Sequence, residues 1–432
     1  MWWWNNDVNI FIHLICTNEL LNILGQLVYV SFLSPRKFSP FMLGLYIHIP
    51  FCKSRCIYCN FYSTTYGHDV MEAYVDALCH ELTHVTHQPL PLQTIYFGGG
   101  TPSQLHPVLL QRLLLYIYKV YDVADDAEVT IECNPDDITS SYVAAITQPS
   151  SPINRVSMGV QTFSDQRLQW LHRRHTSQQV QQAVEHLRQA GIKNISIDLM
   201  FGFPGETLAD WECDILQAIS LQPEHISAYS LMIEEGTPLY EMMSRREKRG
   251  ERRQGSEGNS EDVSDELSRE MYETLIDRLT AAGYEHYEIS NFARPGFRSR
   301  HNSSYWNDTS YLGIGAAAHS YDGCKRWWNV ADVKTYIENL RKGISVIEGQ
   351  ETIDTLTHYN DRITTALRTR EGISLQSFTE TFPEHFYHYL IANAEPHLKR
   401  GALAITNGCL HLTRAGLFVS DDIMSDLILL SS

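Results

Sequence analysis

The sequence predicts an α/β protein, a partial barrel of six strand–helix units, (β/α)6, followed by a smaller module at its C-terminal end. Six short apolar runs of strand type alternate with runs of helix type. Such alternation is typical of parallel strands joined by right-handed crossovers. Six units are too few to close a barrel of eight, so we expect a three-quarter barrel.

The six strand-type runs span residues 45–49, 94–97, 129–133, 156–161, 195–199 and 226–231. Helical patterns lie between them at 70–85, 107–121, 177–190 and 208–219, and Gly191 is suited to end the third of these helices. In barrels of this kind the functional residues collect just past the C-terminal ends of the strands. The residues at those ends are therefore the candidates for a site.

The first strand-type run leads into a loop with three cysteines, Cys52, Cys56 and Cys59, spaced C-x3-C-x2-C. Thiolates packed this closely repel one another unless a metal neutralises them. Cysteine thiolates are the usual ligands of iron–sulfur clusters, and three of them would leave one iron of a [4Fe–4S] cluster open. A zinc site is an alternative, although no second cysteine pair is present, and a disulfide framework does not suit an odd number of cysteines.

Polar or glycine residues also stand at the ends of four further strand-type runs. They are Gly99, Gly100 and Thr101 after the second run, Glu132 in the third, Gln161 at the end of the fourth and Asp198 in the fifth. Each alone has an ordinary explanation as a turn glycine, a cap or a buried hydrogen-bonding residue. Together, at one barrel mouth with the cysteine loop, they indicate a polar ligand site. Arg173 adds a cation suited to a carboxylate, with a solvated helix end as its alternative explanation.

Composition excludes one class of function and suggests a compartment. The chain has 432 residues, of which 43% are hydrophobic, enough for two domains with a substantial core. Its net charge of −17 argues against a nucleic-acid-binding face. The cysteines outside the loop are scattered singly, as in proteins of reducing compartments. We therefore expect a cytoplasmic protein.

The first 41 residues differ from the rest of the chain. They have neither the basic start nor the small-residue cleavage site of a signal peptide, and no apolar run long enough to span a membrane. Met42 directly precedes the first strand-type run. We expect Met42 to be the true start and residues 1–41 to be a leader outside the native protein.

The remainder divides into four predicted parts. Residues 42–243 form the barrel core, and 244–266 form a flexible polar loop, because they are rich in charged residues, glycine and serine without periodicity. An extension at 267–350 contains the run His301-Asn-x-x-Tyr-Trp306, and residues 351–432 form the C-terminal module. His319, in the extension, is either a ligand contact or an ordinary packing residue.

These motifs, taken in order, resemble the radical S-adenosylmethionine (SAM) superfamily. The motifs are Tyr46-x5-Cys52-x3-Cys56-x2-Cys59 and Gly98-Gly-Gly-Thr-Pro102. Two others, Ser157-Met-Gly-Val-Gln161 and Ser196-Ile-Asp198-Leu, resemble its oxygen-independent coproporphyrinogen III oxidase-like family. The resemblance covers nearly everything from Met42 to the C-terminus. It implies a radical SAM barrel and a winged-helix-like C-terminal domain.

The resemblance also implies roles for individual residues. Cys52, Cys56 and Cys59 would bind three irons of a [4Fe–4S] cluster, and the amino and carboxylate groups of SAM would chelate the fourth. An electron from the cluster would then cleave SAM to a 5′-deoxyadenosyl radical. The residues expected to contact SAM are Tyr46, Tyr58, Gly99, Gly100, Thr101, Glu132, Gln161, Arg173 and Asp198.

Two features resemble the haem chaperone branch of this family. The oxidases have the pattern C-x3-C-x2-C-x-C, whereas this chain has Phe61 at the fourth position. The run from His301 to Trp306 matches the His-Asn-x-x-Tyr-Trp motif of the chaperones. Because histidine is a common axial ligand of haem iron, His301 is expected to contact haem, with a hydrogen-bonded loop histidine as the alternative.

The expected function is a haem chaperone that binds haem, a [4Fe–4S] cluster and SAM, and transfers haem to an unidentified acceptor protein. An electron donor such as flavodoxin or ferredoxin is an expected partner. The alternative is an oxygen-independent coproporphyrinogen III oxidase, which converts two propionates to vinyl groups with loss of CO2. Other radical chemistry on a tetrapyrrole ranks lower. Whether the chain is an enzyme stays open, because the cluster ligands are common to all these functions.

Overall fold

A computed structural model describes residues 43–84, 91–148, 151–248 and 263–430. The predicted leader, 1–41, lies outside these residues, and so do residues 249–262 of the predicted polar loop. The two ends of that loop differ from the prediction, since one helix continues to Lys248 and the next begins at Asp265. Arginine, lysine and glutamate favour helices, which explains why these charged ends are helical.

Six parallel strands form the centre of the fold, and the predicted strands are confirmed. They are β1 (Leu43–Ile49), β2 (Leu92–Gly99), β3 (Val123–Cys133), β4 (Arg155–Gln161), β5 (Asn194–Phe201) and β6 (His225–Ser230). Each pairs in parallel with the next in the chain. Their carboxyl ends therefore meet at one edge, as the alternation predicts.

Helices cover the outer side of these strands. They are α1 (His68–His84), α2 (Pro107–Val120), α3 (Ser140–Ile146), α4 (Asp165–Trp170), α5 (Ser177–Gln189), α6 (Leu208–Ser220), α7 (Pro238–Lys248) and α8 (Asp265–Ala281). Sequence periodicity predicts α1, α2, α5 and α6. It misses α3 and α4, which are too short for a 3.6-residue pattern to stand out.

The sheet stays open because further strands extend both of its edges. The hairpin of β7 (Glu285–Glu288) and β8 (Asn291–Ala293) pairs with β6. At the other edge β9 (Tyr311–Ile314) runs parallel to β1, and β10 (His319–Tyr321), β11 (Lys325–Asn329) and β12 (Ile347–Thr352) continue from it. The two helices of this extension are α9 (Arg300–Trp306) and α10 (Val333–Arg341). The predicted partial barrel is thereby confirmed for the described residues.

The two faces of the parallel strands differ in polarity. Outward residues such as Ile47, Phe97 and Ile197 belong to the main hydrophobic core against the helices. The inward residues alternate with them and are polar or aromatic. They include Tyr46, Tyr96, Glu132, Ser157, Asp198 and Ser227. Parallel strands are usually apolar on both faces, so a polar inner face indicates a functional interior.

The C-terminal domain has its own core and a three-stranded antiparallel sheet. Its elements are α11 (Thr355–Ala366), β13 (Ile373–Ser374), α12 (Leu375–Thr381), α13 (Glu384–Lys399), β14 (Leu403–Thr406), β15 (Cys409–Leu412), α14 (Arg414–Leu417) and α15 (Ser420–Leu427). Tyr359, Phe378 and Leu390 lie at the centre of a second hydrophobic cluster. Helices that surround a small sheet agree with the expected winged-helix-like domain.

No helix within the described ranges combines the length and the apolar character needed to cross a bilayer.

Candidate functional site

The cysteine loop leaves the carboxyl end of β1 and is fastened by backbone hydrogen bonds. The Cys52 amide donates to the Thr64 carbonyl at 2.8 Å, and the Thr64 amide donates to the Pro50 carbonyl at 2.7 Å. The Ile57 amide donates to the Leu171 carbonyl at 3.3 Å. These bonds hold the three partly exposed thiols at the barrel mouth.

The three thiols lie close enough to influence one another. Burial raises the pKa of the Cys59 thiol, and the neighbouring Cys56 and Cys52 add to the rise. Thr101 Oγ1 donates to Cys52 Sγ at 3.4 Å, and Arg173 Nη1 donates to Cys56 Sγ at 3.5 Å. Hydrogen bonds to sulfur stabilise thiolates and tune the potential of a bound cluster.

This set of donors fits the cluster that the family resemblance implies. In the described part of the chain, no three histidine, cysteine or carboxylate side chains converge as ligands of a single metal ion. A [4Fe–4S] cluster makes a different demand, because each cysteine binds a separate iron. Soft thiolates with hydrogen-bond donors beside two of them meet that demand.

The glycine run packs directly against the cysteine loop. A Cβ atom at Gly100 would lie 2.9 Å from the Phe51 nitrogen and 3.1 Å from Cys52 Sγ. A Cβ atom at Gly99, which has φ 114°, would lie 2.6 Å from the His48 ring. The sequence predicts that these glycines contact a ligand. The structure adds a second requirement, the close approach of two loops.

Glu132 and Asp198 face the barrel interior in largely enclosed surroundings. Tyr96 OH donates to Glu132 Oε1 at 2.7 Å, and the Gly99 amide donates to Glu132 Oε2 at 3.2 Å. Burial raises the pKa of Glu132 to about 7, against the effect of these hydrogen bonds. Burial also raises the pKa of Asp198 to about 6, opposed chiefly by the charge of Arg155. Carboxyl groups that titrate near neutrality are typical of functional sites.

Arg173 and Gln161 complete the opposite side of the mouth. Arg173 Nη2 donates to the Gly159 carbonyl at 2.5 Å and to Asn134 Oδ1 at 2.8 Å. Its buried Nε has no hydrogen-bond partner among the described residues, so one donor is available for a ligand. Gln161 ends β4 with φ 69°, a backbone conformation that non-glycine residues adopt mainly at special sites.

Tyr46 lies on β1, and Tyr58 lies within the cysteine loop. The Tyr46 ring stacks on Tyr96 with 6.1 Å between centroids, and its hydroxyl bonds to His48 Nδ1 at 3.1 Å. Tyr58 packs on the small cluster that contains Leu171, and burial raises the pKa of its phenol. The structure thus brings all the residues predicted to contact SAM to one end of the sheet. Their individual contacts with SAM stay predictions.

His301 lies inside the barrel beside that group, and its ring stacks on Tyr46 with 6.3 Å between centroids. Its ring is completely buried, with Nδ1 bonded to Thr94 Oγ1 at 2.8 Å and Nε2 bonded to Tyr305 OH at 2.9 Å. Burial and the charge of Arg155 lower the pKa of His301 to about 3. Both ring nitrogens are occupied in this conformation. A haem contact at His301 stays a prediction that would require these bonds to open.

Arg155 is an interior residue that the sequence argument missed. It is only 1% exposed, and none of its three guanidinium nitrogens has a hydrogen-bond partner among the described residues. A signal was present, because Arg155, Ser157 and Gly159 alternate with apolar residues along β4. Strict alternation in a parallel strand indicates a polar inner face.

Residues 46–216 match the model of the radical SAM superfamily, and residues 353–419 match the model of the HemN C-terminal domain. The heme chaperone HemW of Bacillus subtilis is 34% identical over 387 residues, which cover 88% of this chain and 98% of the relative. The heme chaperone HemW of Escherichia coli is 35% identical over 282 residues, which cover 64% of this chain and 69% of the relative.

One solved structure resembles most of the chain. Coproporphyrinogen III oxidase, HemN, from Escherichia coli superimposes with a TM-score of 0.74 at 21% identity and covers 90% of this chain and 91% of its own. At this identity the likeness shows a shared fold. The predicted family is confirmed by the sequence relatives: this chain belongs to the radical SAM superfamily, in the family of the proteins named heme chaperone HemW.

Proposed function

We propose that this chain is a haem chaperone, which binds haem together with a [4Fe–4S] cluster and SAM and transfers the haem to an acceptor protein. The observation that carries the proposal is the near-complete match to a protein named heme chaperone HemW, which covers 98% of that relative. The likeness to the oxidase is one of fold. Phe61, at the position of the fourth oxidase cysteine, is 66% exposed and supports the same choice.

Cys52, Cys56 and Cys59 would hold the cluster, which supplies one-electron chemistry when bound. Thr101 and Arg173 would hold two of the sulfurs in their thiolate form through the hydrogen bonds described above. The free Nε of Arg173 suits the SAM carboxylate.

The remaining predicted SAM residues have complementary tasks. Glu132 and Asp198 are suited to accept hydrogen bonds from the SAM amine and ribose hydroxyls, since carboxylates are acceptors when ionised. Tyr46, Tyr58, Gly99, Gly100 and Gln161 would shape the walls of the SAM pocket. Their shared position at the barrel mouth supports this assignment.

An electron donor such as flavodoxin or ferredoxin would have to approach the cysteine loop. Lys53 and Arg55, on that loop, are exposed and give it a basic surface in an otherwise acidic chain. Basic patches attract acidic partners and speed their association. The cysteines outside the loop are scattered singly along the sequence, which supports a reducing, cytoplasmic location.

Catalytic turnover of coproporphyrinogen III distinguishes a haem chaperone from an oxidase. The reconstituted full chain is incubated anaerobically with SAM, a reductant and coproporphyrinogen III, and the products are followed by chromatography. The chaperone proposal predicts no conversion beyond the background of a sample without SAM. Formation of protoporphyrinogen IX over many turnovers would overturn it in favour of the oxidase.

A further inference from the structure

The C-terminal domain holds one end of α9, the helix that carries His301. On α11, His358 and Arg362 lie one turn apart and share a face. Arg362 Nη1 donates to the Trp306 carbonyl at 3.1 Å, and His358 Nε2 bonds to Asp308 Oδ2 at 2.5 Å. The end of α9 and the turn after it are therefore fastened to a different domain. Four residues, Trp306, Asp308, His358 and Arg362, form this contact, the α9 latch.

Asp308 is at the centre of the latch. Its Oδ1 accepts a hydrogen bond from Tyr321 OH at 2.5 Å, while Oδ2 faces His358. Burial acts to raise the pKa of Asp308, but the hydrogen bonds from His358 and Tyr321 and the charge of Arg362 lower it overall. The carboxylate is therefore ionised at neutral pH, and its charge attracts the groups of α11 that face it.

Trp306 is held in a position that leaves one of its polar groups unsatisfied. The guanidinium carbon of Arg368, which follows α11, lies 5.0 Å from the centroid of the Trp306 ring. The indole Nε1 is buried and has no hydrogen-bond partner among the described residues. A buried donor without a partner is unfavourable, so the contacts of the C-terminal domain hold Trp306 there against a cost. Movement of this end of α9 towards water would remove that cost.

The other end of α9 is fixed to the barrel. The amides of Arg300 and His301 donate to the two carboxylate oxygens of Glu128 at 3.1 and 3.0 Å. Glu128 belongs to β3 and is 5% exposed. A carboxylate that accepts hydrogen bonds at the start of a helix is a strong anchor. The start of α9 is thus set by the barrel, whereas its end is held by the C-terminal domain.

The end of α9 that the latch holds also covers His301. Tyr305, which directly precedes Trp306, bonds through its hydroxyl to His301 Nε2 at 2.9 Å. Because the His301 ring is completely buried, a haem iron can reach Nε2 only after Tyr305 has moved away. Release of the latch would move Tyr305 with the end of the helix, while Glu128 keeps the start of the helix in place.

We propose that the α9 latch keeps the haem site closed, and that haem binds after the C-terminal domain releases the end of α9. This inference rests on the proposed chaperone function and on the predicted contact of His301 with haem. A protein whose binding-competent state is only partly populated binds its ligand more weakly by that fraction. The latch therefore lowers the apparent affinity for haem and slows its binding.

Two substitutions weaken the latch without changing a residue of the haem or SAM sites. Asp308→Asn removes the charge that faces His358 and Arg362, and asparagine tolerates the φ of 66° at this position. Arg362→Met removes the hydrogen bond to the end of α9. The matched control is Lys399→Met, which removes an exposed cation of the same domain from its pair with Glu395. Circular dichroism of each variant checks its fold.

The first measurement is amide hydrogen exchange of α9 in the haem-free full chain, by mass spectrometry of peptides. Opening exposes these amides, so both latch variants should exchange about tenfold faster than wild type, since a hydrogen bond to a charged group shifts an equilibrium by that much. Peptides from α5 should exchange as in wild type, and Lys399→Met should match wild type throughout. Equal exchange of α9 in wild type and both latch variants would overturn the latch, whether or not the chain binds haem.

The second measurement is a haem titration of the anaerobically reconstituted full chain, followed by Soret difference spectra and by stopped flow. Both latch variants should bind haem faster than wild type and lower the apparent dissociation constant by about tenfold. Unchanged or weaker binding in correctly folded latch variants would contradict the proposal while the chaperone function stands. If neither wild type nor the latch variants bind haem saturably, the chaperone function fails and so does the assignment of the latch to haem binding.

Discussion

At the scale of single residues, Arg155 determines the electrostatics of the barrel interior. Its guanidinium is enclosed without a hydrogen-bond partner in the described structure, and its charge opposes the rise that burial causes in the pKa values of Glu132 and Asp198. A buried cation of this kind is costly unless nearby anions compensate it. Arg155 and the two carboxyl groups therefore form one balanced set.

Replacing Arg155 tests this balance. In Arg155→Met the pKa values of Glu132 and Asp198 should rise further, so that both carboxyl groups are more often neutral. We expect weaker SAM binding, with a larger loss at about pH 6 than at about pH 8, because protonation removes the acceptors at low pH. Calorimetric titration with SAM at the two pH values measures this loss of affinity. Arg155→Lys keeps the positive charge and should lose less SAM affinity. An equal loss of affinity at both pH values in Arg155→Met would contradict a role of Arg155 in keeping the two carboxyl groups ionised.

Glu132 gives a second test at this scale, on stability. Its pKa rises from 4.5 to about 7 on folding, so the native chain holds a proton that the unfolded chain has lost in this window. Its contribution to the free energy of unfolding therefore falls as pH rises from about 4.5 to about 7. Relative to wild type, cluster-free Glu132→Gln should gain stability with pH, by at most about 1.4 kcal/mol per pH unit. Urea unfolding at several pH values measures the difference, and parallel pH profiles would refute it.

Residue types at strand ends could be predicted from the sequence, but their surroundings could not. The pattern placed Glu132 and Asp198 at the barrel mouth, and the structure brings them there. The environment of His301 depends on Thr94 and Tyr305, which only the folded chain brings to it. Arg155 was missed because a single charge at the start of a strand is an ordinary observation in a sequence.

At the scale of elements, the glycine run fixes the distance between the β2 loop and the cysteine loop. Gly100→Ala places a methyl group 2.9 Å from the backbone of Phe51 and should shift the cysteine loop, at a cost of about 1–3 kcal/mol. We expect less iron and acid-labile sulfide per chain after reconstitution. Gly67→Ala is the matched control, because no atom lies within 4 Å of a Cβ atom there. Equal cluster content in both variants would exclude this role of Gly100.

The elements of the barrel were predictable to different degrees. The six parallel strands and the long helices carry strong apolar patterns, so their positions agree with the prediction. Strands β7 to β12 are short, all of their pairings except that of β9 with β1 are antiparallel, and they carry little periodicity of their own. Their order in the sheet depends on contacts between segments that are distant in sequence.

At the scale of the whole molecule, several ion pairs link the C-terminal domain to the barrel and its extension, and the pair of Arg368 with Glu288 is one of them. Arg368 Nη2 lies 2.8 Å from Glu288 Oε1, and the Glu288 side chain is fully buried. Arg368→Met leaves this carboxylate without its cation and should destabilise the chain by about 3–5 kcal/mol. Thermal unfolding measures the loss. Arg269→Met, which breaks an exposed pair with Glu273, should change stability by less than about 1 kcal/mol. Similar losses of stability in the two variants would contradict a special contribution of the Arg368–Glu288 pair to the stability of the chain.

The architecture and the class of site were accessible from the sequence because several motifs occur in a fixed order along a regular alternation. The cysteine spacing and the polar strand ends predicted the mouth of the barrel before any geometry was known. The acidic composition does not indicate haem. Haem is inferred as the ligand from the relatives named heme chaperone HemW. Haem binding is therefore the property on which the proposed function most directly depends.

The most direct measurement is an equilibrium haem titration of the anaerobically reconstituted wild-type chain, with gel filtration to separate bound from free haem. The account predicts saturable binding at a fixed stoichiometry, with a Soret band distinct from that of free haem and haem that elutes with the protein. Absorbance that rises without saturation, with haem eluting separately, would contradict the chaperone function.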